Sequence, residues 1–206
     1  MADLGPWEPL TPEGVRDLFA GAPFRWWLAG GWSLDRLVGH PTREHADTDV
    51  QVLRPDAALV RDWLGGWDPH VADPPGTGTL RPWPPDEPLG ADVHDVWSRR
   101  ADGEPWHFQL MVADTEGDEW VYRRDPRIRR PLSLLDGRAS EPGLTVLAPE
   151  IQLLYKSAGL RAKDQADFER FRPLLTRAEA AWLRDALTTA APGHAWLAAL
   201  DTTGGP

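Results

Sequence analysis

The sequence predicts an α+β fold in which a mixed sheet flanked by helices is followed by a small C-terminal helical bundle. Short apolar or alternating segments, typical of strands, recur through residues 25–124, whereas residues 148–200 place apolar side chains at helical spacing. The Pro- and Gly-rich stretch 74–88 is too irregular for more than a short strand. We therefore expect one domain over residues 1–135 and a helical domain over residues 145–206.

The first predicted helix begins near Thr11. Thr11 can cap the first turn, Pro12 suits that turn because its missing N–H is not needed there, and Glu13 lies at the positive end of the helix dipole. Gly21 and Pro23 end this helix. The apolar spacing that follows predicts, in order, a strand over 25–29, a helix over 33–38, a strand over 49–53 and a helix over 56–67.

A hairpin is predicted further along the chain. Its strands cover residues 93–99 and 106–112, and a polar turn that contains glycine separates them. Short strands are also expected near Leu80 and over residues 120–124. The basic, irregular connection 127–143 contains the domain boundary. The C-terminal helices are predicted over 148–158, 162–175, 177–187 and 194–200.

The composition excludes cysteine-based sites and argues against membrane insertion. A chain of 206 residues with 41% hydrophobic content can bury a stable core without disulfide bonds or structural metal ions. Because it contains no cysteine, disulfide frameworks, thiolate zinc sites and cysteine nucleophiles are excluded, and a reducing compartment is favoured. The first twelve residues lack the basic and apolar segments of a signal peptide, and no apolar stretch could span a bilayer. We expect a cytoplasmic protein without membrane insertion.

The charge of the chain bears on its partners. A formal net charge of −10 argues against general nucleic-acid binding, which depends on Lys and Arg to neutralise phosphates. A cationic small molecule is a more natural ligand. Two of the 22 basic residues are lysines, Lys156 and Lys163, so each retained lysine is somewhat more informative than usual. The sequence gives no indication of the oligomeric state.

A Gly-Gly turn and a pair of carboxylates suggest a phosphate and metal site. Gly30 and Gly31 follow an apolar strand and open a helix, where backbone N–H groups and the helix dipole can hold phosphates. Asp47 and Asp49, two residues apart, can share one face of a strand and bind a hard cation. Taken alone, the pair is better explained by a turn or cap residue at Asp47 and a solvent-facing side chain at Asp49. The Gly-Gly turn beside it favours the metal site.

These motifs resemble a known family. The segments Leu28-Ala-Gly-Gly-Trp-Ser-Leu-Asp35 and Gly39-His-Pro-Thr-Arg-Glu-His-Ala-Asp-Thr-Asp-Val50 are similar to the active-site signature of aminoglycoside and lincosamide nucleotidyltransferases. These enzymes belong to the DNA polymerase β-like superfamily and transfer a nucleoside monophosphate from an NTP to a hydroxyl. The helical segment Ala148-Pro-Glu-Ile-Gln-Leu-Leu-Tyr-Lys156, with Lys163-Asp-Gln-Ala-Asp167, resembles related bacterial members. The resemblance is strong over residues 25–54 and 148–187.

The resemblance implies a nucleotidyltransferase domain at residues 1–135, with Mg²⁺ and ATP, or another NTP, as its cofactor and co-substrate. Gly30, Gly31 and Ser33 would hold phosphate oxygens. Asp47 and Asp49 would be catalytic carboxylates that ligate Mg²⁺.

Further positions follow from the same resemblance. Arg43 and His45 match basic positions of the family, and either contact with phosphate or bracing of the loop would explain them. Lys156 would reach the triphosphate as a point charge, unless it is an ordinary surface lysine. The acceptor would be a small hydroxylated molecule, which can be cationic, such as an aminoglycoside or lincosamide.

One position departs from the family pattern. A third carboxylate on the second strand of the hairpin is expected to complete the site as general base, yet Gln109 falls at or near it. Glutamine cannot accept the hydroxyl proton and is a poorer metal ligand. Asp95 on the neighbouring strand is our candidate for the catalytic carboxylate. Asp92 is the alternative if the hairpin register differs.

Other interpretations remain at this point. The tryptophans can fill the core or stack on a base or sugar, and we expect most in the core; the ones considered are Trp26, Trp27, Trp83, Trp97 and Trp106. Gln109 keeps open a catalytically weakened homologue that only binds a nucleotide or a partner. A nucleotidyltransferase of a toxin–antitoxin system, acting on RNA or protein, is a further alternative that the acidic charge disfavours for RNA.

Overall fold

The structure, a computed structural model, describes residues 4–201. Its strands are β1 (Trp26–Leu28), β2 (Asp49–Leu53), β3 (Asp68–Ala72), β4 (Leu80–Pro82), β5 (Asp95–Arg99), β6 (Trp106–Glu116), β7 (Glu119–Val121) and β8 (Arg129–Pro131). Its α-helices are α1 (Pro12–Leu18), α2 (Gly30–Asp35), α3 (Ala57–Trp63), α4 (Pro149–Ser157), α5 (Ala162–Phe171), α6 (Arg177–Ala190) and α7 (Trp196–Asp201). The predicted α+β class is confirmed.

The strands form one mixed sheet in the order β1-β2-β6-β5-β3-β4, and β7 and β8 extend it from β6. Strands β2 and β6 run parallel, while β1 with β2 and β5 with β6 are antiparallel. The β2–β6 register places Asp49 opposite Gln109, and the β5–β6 register places Trp97 on the other side of Gln109. The predicted hairpin is therefore present, and it lies beside the strand that begins at Asp49.

Successive side chains along the strands point to opposite faces of the sheet. Val50 and Val52 point into a core shared with α1 and α3. Trp27 and Leu53 point to the opposite face, where they join a core formed by the C-terminal helices. Within that second core the rings of Phe168 and Trp196 stack with centroids 4.0 Å apart.

The C-terminal helices share their core with the sheet. The connection before α4 runs beside β1, where Leu28 N donates to Thr145 O at 2.8 Å and Leu147 N donates to Leu28 O at 2.9 Å. The side chains of α4 to α7 then cover the same sheet face as Trp27. The predicted division into a domain over residues 1–135 and a second over residues 145–206 stays a prediction. Side chains from both segments lie together in one buried core.

The structure differs from the predicted elements in a few places. Strands β3 and β8 were not expected, because their few residues carry proline and charged side chains that favour loops. Helix α2 begins at Gly30 rather than at Ser33. Thr11 caps α1 as predicted, and its side chain accepts a hydrogen bond from Gly14 N at 3.1 Å. Within residues 4–201, no helix combines the length and apolar character needed to cross a membrane.

Candidate active site

The Gly-Gly turn lies directly against the metal carboxylate predicted from the sequence. Gly30 has a φ of +68°, and a Cβ at this position would collide with Oδ2 of Asp49. A Cβ on Gly31 would collide with the ring of His45 and the guanidinium of Arg43. Glycine is therefore required at both positions, since only a bare backbone can approach these side chains so closely.

The turn is also held from the C-terminal helices. Gly30 N donates to Oε1 of Gln152, a buried side chain of α4, at 2.8 Å. Ser33 is 2% exposed, and its hydroxyl donates to Gly30 O at 3.0 Å. Ser33 thus stabilises the turn from within, and its predicted contact with a phosphate stays a prediction.

Asp47 and Asp49 form an acidic pair at the start of β2. Burial and, next to it, the charge of Asp47 raise the pKa of Asp49 to about 7, although Lys156 opposes the shift. Two adjacent carboxylates whose charges disfavour each other offer the hard oxygen ligands that a divalent cation prefers. Their donor chemistry therefore fits Mg²⁺, which proteins often hold by one or two carboxylates together with substrate phosphates.

A third ligand of the usual kinds is not assembled around this pair. Among residues 4–201, no three or more His, Cys, Asp or Glu side chains come together as a potential metal site. Within the described residues, a cation held by Asp47 and Asp49 would therefore take its further ligands from other groups, such as the amide oxygen of Gln109, substrate oxygens or water.

The pair lies in a cleft of about 280 Å³ between the sheet and the C-terminal helices. Its lining contains these two carboxylates and six cationic side chains, namely Arg43, Arg123, Arg124, Lys156, Arg161 and Lys163. Such an excess of positive charge, in a chain of net charge −10, suits a polyanion such as a triphosphate.

Two cations of the cleft are anchored by a buried carboxylate of α5. Asp167 accepts from Nε and Nη2 of Arg43, both at 3.1 Å, and lies 2.8 Å from Nζ of Lys156. Lys156 is 7% exposed and also lies 3.6 Å from Asp164. Burial opposes ionisation of Asp167, but the hydrogen bonds from Arg43 and Lys156 outweigh it and lower its pKa. Lys156 is therefore neither a surface lysine nor a freely moving charge.

The loop before Asp47 is fixed by Asp35. The Asp35 carboxylate accepts from the backbone N–H of Thr42 at 3.0 Å and from the Thr42 hydroxyl at 2.6 Å. It also lies 2.6 Å from Nε2 of His45, whose side chain is 2% exposed. The His45 ring packs on Trp32 with centroids 4.3 Å apart. His45 thus braces the loop in this structure, whereas Arg43 both braces it and lines the cleft.

Gln109 was predicted to fall at or near the position of a third carboxylate. Gln109 lies beside Asp49 in the sheet and lines the cleft. Its Nε2 donates to Oδ1 of Asp95 at 2.9 Å, and Oδ2 of Asp95 lies 3.7 Å from Nη1 of Arg123. Asp95 is thus one strand further from the acidic pair, although its charge still raises the pKa of Asp49. Asp92 is exposed in the turn before β5.

Two residues that hold parts of the cleft in place were not predicted from the sequence. Gln152 reaches Gly30, and Asp167 joins Arg43 to Lys156. Both lie in the helical segments that resemble the family, yet neither residue type marks a catalytic position by itself. A polar residue on the apolar side of a predicted helix was the available signal.

The structure is thus that of an α+β protein whose cleft combines two acidic side chains with six cationic ones. Residues 13–66 match the family model of the aminoglycoside-2''-adenylyltransferases. The match spans about a quarter of the chain, and it includes the Gly-Gly turn and both acidic residues, Asp47 and Asp49. The resemblance seen in the sequence is confirmed over this segment.

The chain is also similar to a solved structure, the crystal structure of ANT(2'')-Ia in complex with adenylyl-2''-tobramycin. The identity is 13%, the alignment covers 93% of this chain and 97% of that one, and the TM-score is 0.42. A TM-score this low supports no conclusion about shared function. A comparison with curated proteins gives no match.

Proposed function

We propose that the protein is a Mg²⁺-dependent nucleotidyltransferase that transfers a nucleoside monophosphate, AMP from ATP, to a hydroxyl of a small molecule such as an aminoglycoside, a lincosamide or a related metabolite. One observation carries the proposal: the carboxylate of Asp49 lies against the Gly30 turn, and Asp47 lines the same cleft together with six cations. The family match over residues 13–66 supports the same activity.

The residues of the cleft have distinct tasks in this proposal. The cationic side chains and the Gly-Gly turn hold the triphosphate, and the Gly30 N–H is not among the donors because it is bonded to Gln152. Asp47 and Asp49 hold the cation. A bound Mg²⁺ would neutralise charge on the phosphate oxygens around the reacting phosphorus.

The transfer is an in-line displacement at the α-phosphorus. The acceptor oxygen forms a bond to this atom while the bond to the oxygen shared with the β-phosphate breaks, and pyrophosphate leaves with that electron pair. The hydroxyl proton goes to a base, for which Asp95 is the candidate.

A second function has one observation in its favour. Gln109 occupies the position beside Asp49 where a carboxylate would strengthen the metal site. This favours a catalytically weakened homologue that binds a nucleotide and transfers it slowly or not at all. An enzyme that modifies RNA is disfavoured by the net charge of −10.

The test is transfer of label from NTPs labelled at the α-phosphate to a panel of hydroxylated acceptors, with and without Mg²⁺. We expect label on an acceptor and release of pyrophosphate, both dependent on Mg²⁺ and absent from the Asp49→Asn variant. Nucleotide binding without any transfer would favour the weakened homologue. Absence of NTP binding in calorimetry would contradict both functions.

A further inference from the structure

Gln152 of α4 packs against the Gly-Gly turn. Its side chain lines the cleft although the residue is 3% exposed. The amide oxygen Oε1 accepts a hydrogen bond from Gly30 N at 2.8 Å. Gly30 in turn lies so close to Asp49 that a Cβ on the glycine would collide with Oδ2 of the carboxylate. Gln152 therefore meets the turn at the point where the turn meets Asp49.

The nitrogen end of the same amide has no protein partner. Among residues 4–201, Nε2 of Gln152 has no hydrogen-bond partner, and it is not one of the unpartnered polar atoms that are sealed from solvent. The orientation of the planar amide is fixed, because the Gly30 N–H can only donate and therefore selects the amide oxygen. Gln152 thus presents its N–H donors to the cleft.

We propose that Gln152 is a phosphate-binding residue, whose Nε2 donates a hydrogen bond to a phosphate oxygen of the nucleotide at the Gly-Gly turn. The inference rests on the proposed nucleotidyl transfer and adds to it a contact from α4 that lies outside the Gly-Gly motif. The ligand class is a nucleoside polyphosphate, whose phosphate oxygens accept hydrogen bonds.

The contact with Gly30 explains why a donor is needed here. Backbone N–H groups of a glycine turn that opens a helix are suited to hold phosphates. The Gly30 N–H is already bonded to Oε1 of Gln152. Since an amide both accepts and donates, Gln152 accepts from the turn and presents N–H donors of its own beside it. The donor at this point of the cleft is therefore a side chain of α4 instead of the backbone of Gly30.

Lys156 lies on the same side of α4 as Gln152. The two residues are four positions apart in the helix, and both line the cleft. Lys156 is held in place by Asp167, which lies 2.8 Å from its Nζ. A phosphate attracted by the charge of Lys156 therefore meets a second donor on the same helix, one that is directional and uncharged.

The experiment measures the binding of ATP and of inorganic tripolyphosphate to the full chain by calorimetry, with excess Mg²⁺ and at about pH 8.5, where we expect a new carboxyl to be ionised. Gln152→Glu keeps an oxygen that can accept from Gly30 N but replaces the N–H donors by a second carboxylate oxygen. Gln152→Met is similar in size and removes both groups. We expect each variant to bind both ligands roughly tenfold more weakly or worse, the scale of a hydrogen bond to a charged group.

The matched control is Gln109→Glu, which adds the same charge to the wall of the same cleft. We expect no loss of affinity for either ligand, because the new carboxylate lies beside Asp49, where it favours Mg²⁺. Thermal melting shows whether each variant folds. Gln152→Met should melt at a lower temperature than Gln152→Glu, because it leaves the Gly30 N–H without its acceptor.

The outcomes distinguish the two proposals. Wild-type affinity in Gln152→Glu, with weaker binding in Gln152→Met, would show that the side chain only anchors the turn. Equal losses in Gln152→Glu and Gln109→Glu would assign the effect to charge, and a loss for ATP without one for tripolyphosphate would place the donor at the sugar or base. Each of these results overturns the phosphate contact and leaves nucleotidyl transfer standing. A wild type that binds neither ligand overturns the proposed function itself.

Discussion

Gln109 lies opposite Asp49 in the parallel pairing of β2 and β6, and its side-chain amide donates to Oδ1 of Asp95 at 2.9 Å. A residue with a neutral amide side chain thus stands between the strand of Asp49 and the next carboxylate, Asp95. Since an amide donates through nitrogen and accepts through oxygen, Gln109 can serve Asp95 with one end while its oxygen stays available to the cleft. Substitutions of Asp95 and Gln109 therefore test which of these residues takes part in proton removal.

Asp47→Asn and Asp49→Asn are expected to abolish Mg²⁺-dependent NTP binding or transfer while the protein remains folded. Each change removes one of the two carboxylate ligands beside the Gly-Gly turn. Relieving the repulsion within the pair should leave stability unchanged or slightly higher, because burial and Asp47 already raise the pKa of Asp49. Calorimetric titration of NTP with and without Mg²⁺, together with thermal melting, checks both parts. Metal-dependent binding that survives in both variants would contradict the site.

Lys156→Met is expected to weaken NTP binding by about 1 to 3 kcal/mol, the scale of a hydrogen bond to a charged group. The structure adds a stability cost, since Lys156 is buried and pairs with Asp167. Breaking a buried ion pair costs about 3 kcal/mol or more, which Arg43 should reduce because it keeps its own contacts with Asp167. Urea unfolding measures the cost.

The control for Lys156 is Lys163→Met. Lys163 lines the same cleft and is partly exposed, so its loss should lower NTP affinity with little change in stability. Equal stability of the Lys156→Met variant and the wild type would show that the contact with Asp167 contributes nothing to folding.

The acidic residues of α5 should make stability fall below about pH 4. Burial opposes the ionisation of Asp164 and Asp167, but their cationic partners outweigh it, so the pKa of each is lowered. A carboxyl whose folded pKa is depressed contributes stability that is complete above its unfolded pKa, near 3.9, and is lost as pH falls through the folded pKa.

Urea unfolding between pH 3 and pH 6 tests this linkage. The Asp167→Asn variant should be less stable than the wild type at pH 6, and the difference should shrink as the pH approaches 3. A difference between the two proteins that is constant over this range would contradict the assigned ion pairs.

The sequence predicted most of the fold because its patterns are local. Thr11 and Pro12 mark a helix start, and the spacing of apolar residues in α4, α5 and α6 shows which face is buried. Strand β3 was not predicted, because its segment contains proline and histidine and has no strand pattern of its own. Its extended conformation comes from pairing with β4 and β5.

The site was predictable only where it is contiguous in sequence. Gly30, Gly31, Asp47 and Asp49 lie within twenty residues, and the cleft brings them together. The contact of Gln152 with Gly30 joins residues 122 positions apart, and that of Asp167 with Arg43 joins residues 124 apart. Such pairs depend on packing between the sheet and the helices, which no local pattern specifies. The burial of Lys156 also depends on this packing, so the local sequence does not predict it.

Asp95→Asn distinguishes an active enzyme from a weakened homologue. If Asp95 accepts the hydroxyl proton, the variant should lose about 10²- to 10⁴-fold in rate, the range that general-base removal costs, with little change in NTP affinity. The measurement is single-turnover transfer of labelled nucleotide, and Asp92→Asn is the matched control because Asp92 is exposed in the turn before β5.

Gln109→Glu completes the comparison, because it places a carboxylate beside Asp49. If Asp95 already serves as base, this variant should change the rate little, and the new charge should mainly raise metal affinity. If the site has been weakened by glutamine, the wild type should be slow, Asp95→Asn should have no further effect, and Gln109→Glu should increase both Mg²⁺ affinity and rate. A wild type that is fast, insensitive to Asp95→Asn and unaffected by Gln109→Glu would contradict both accounts, since neither residue would then take part in proton removal.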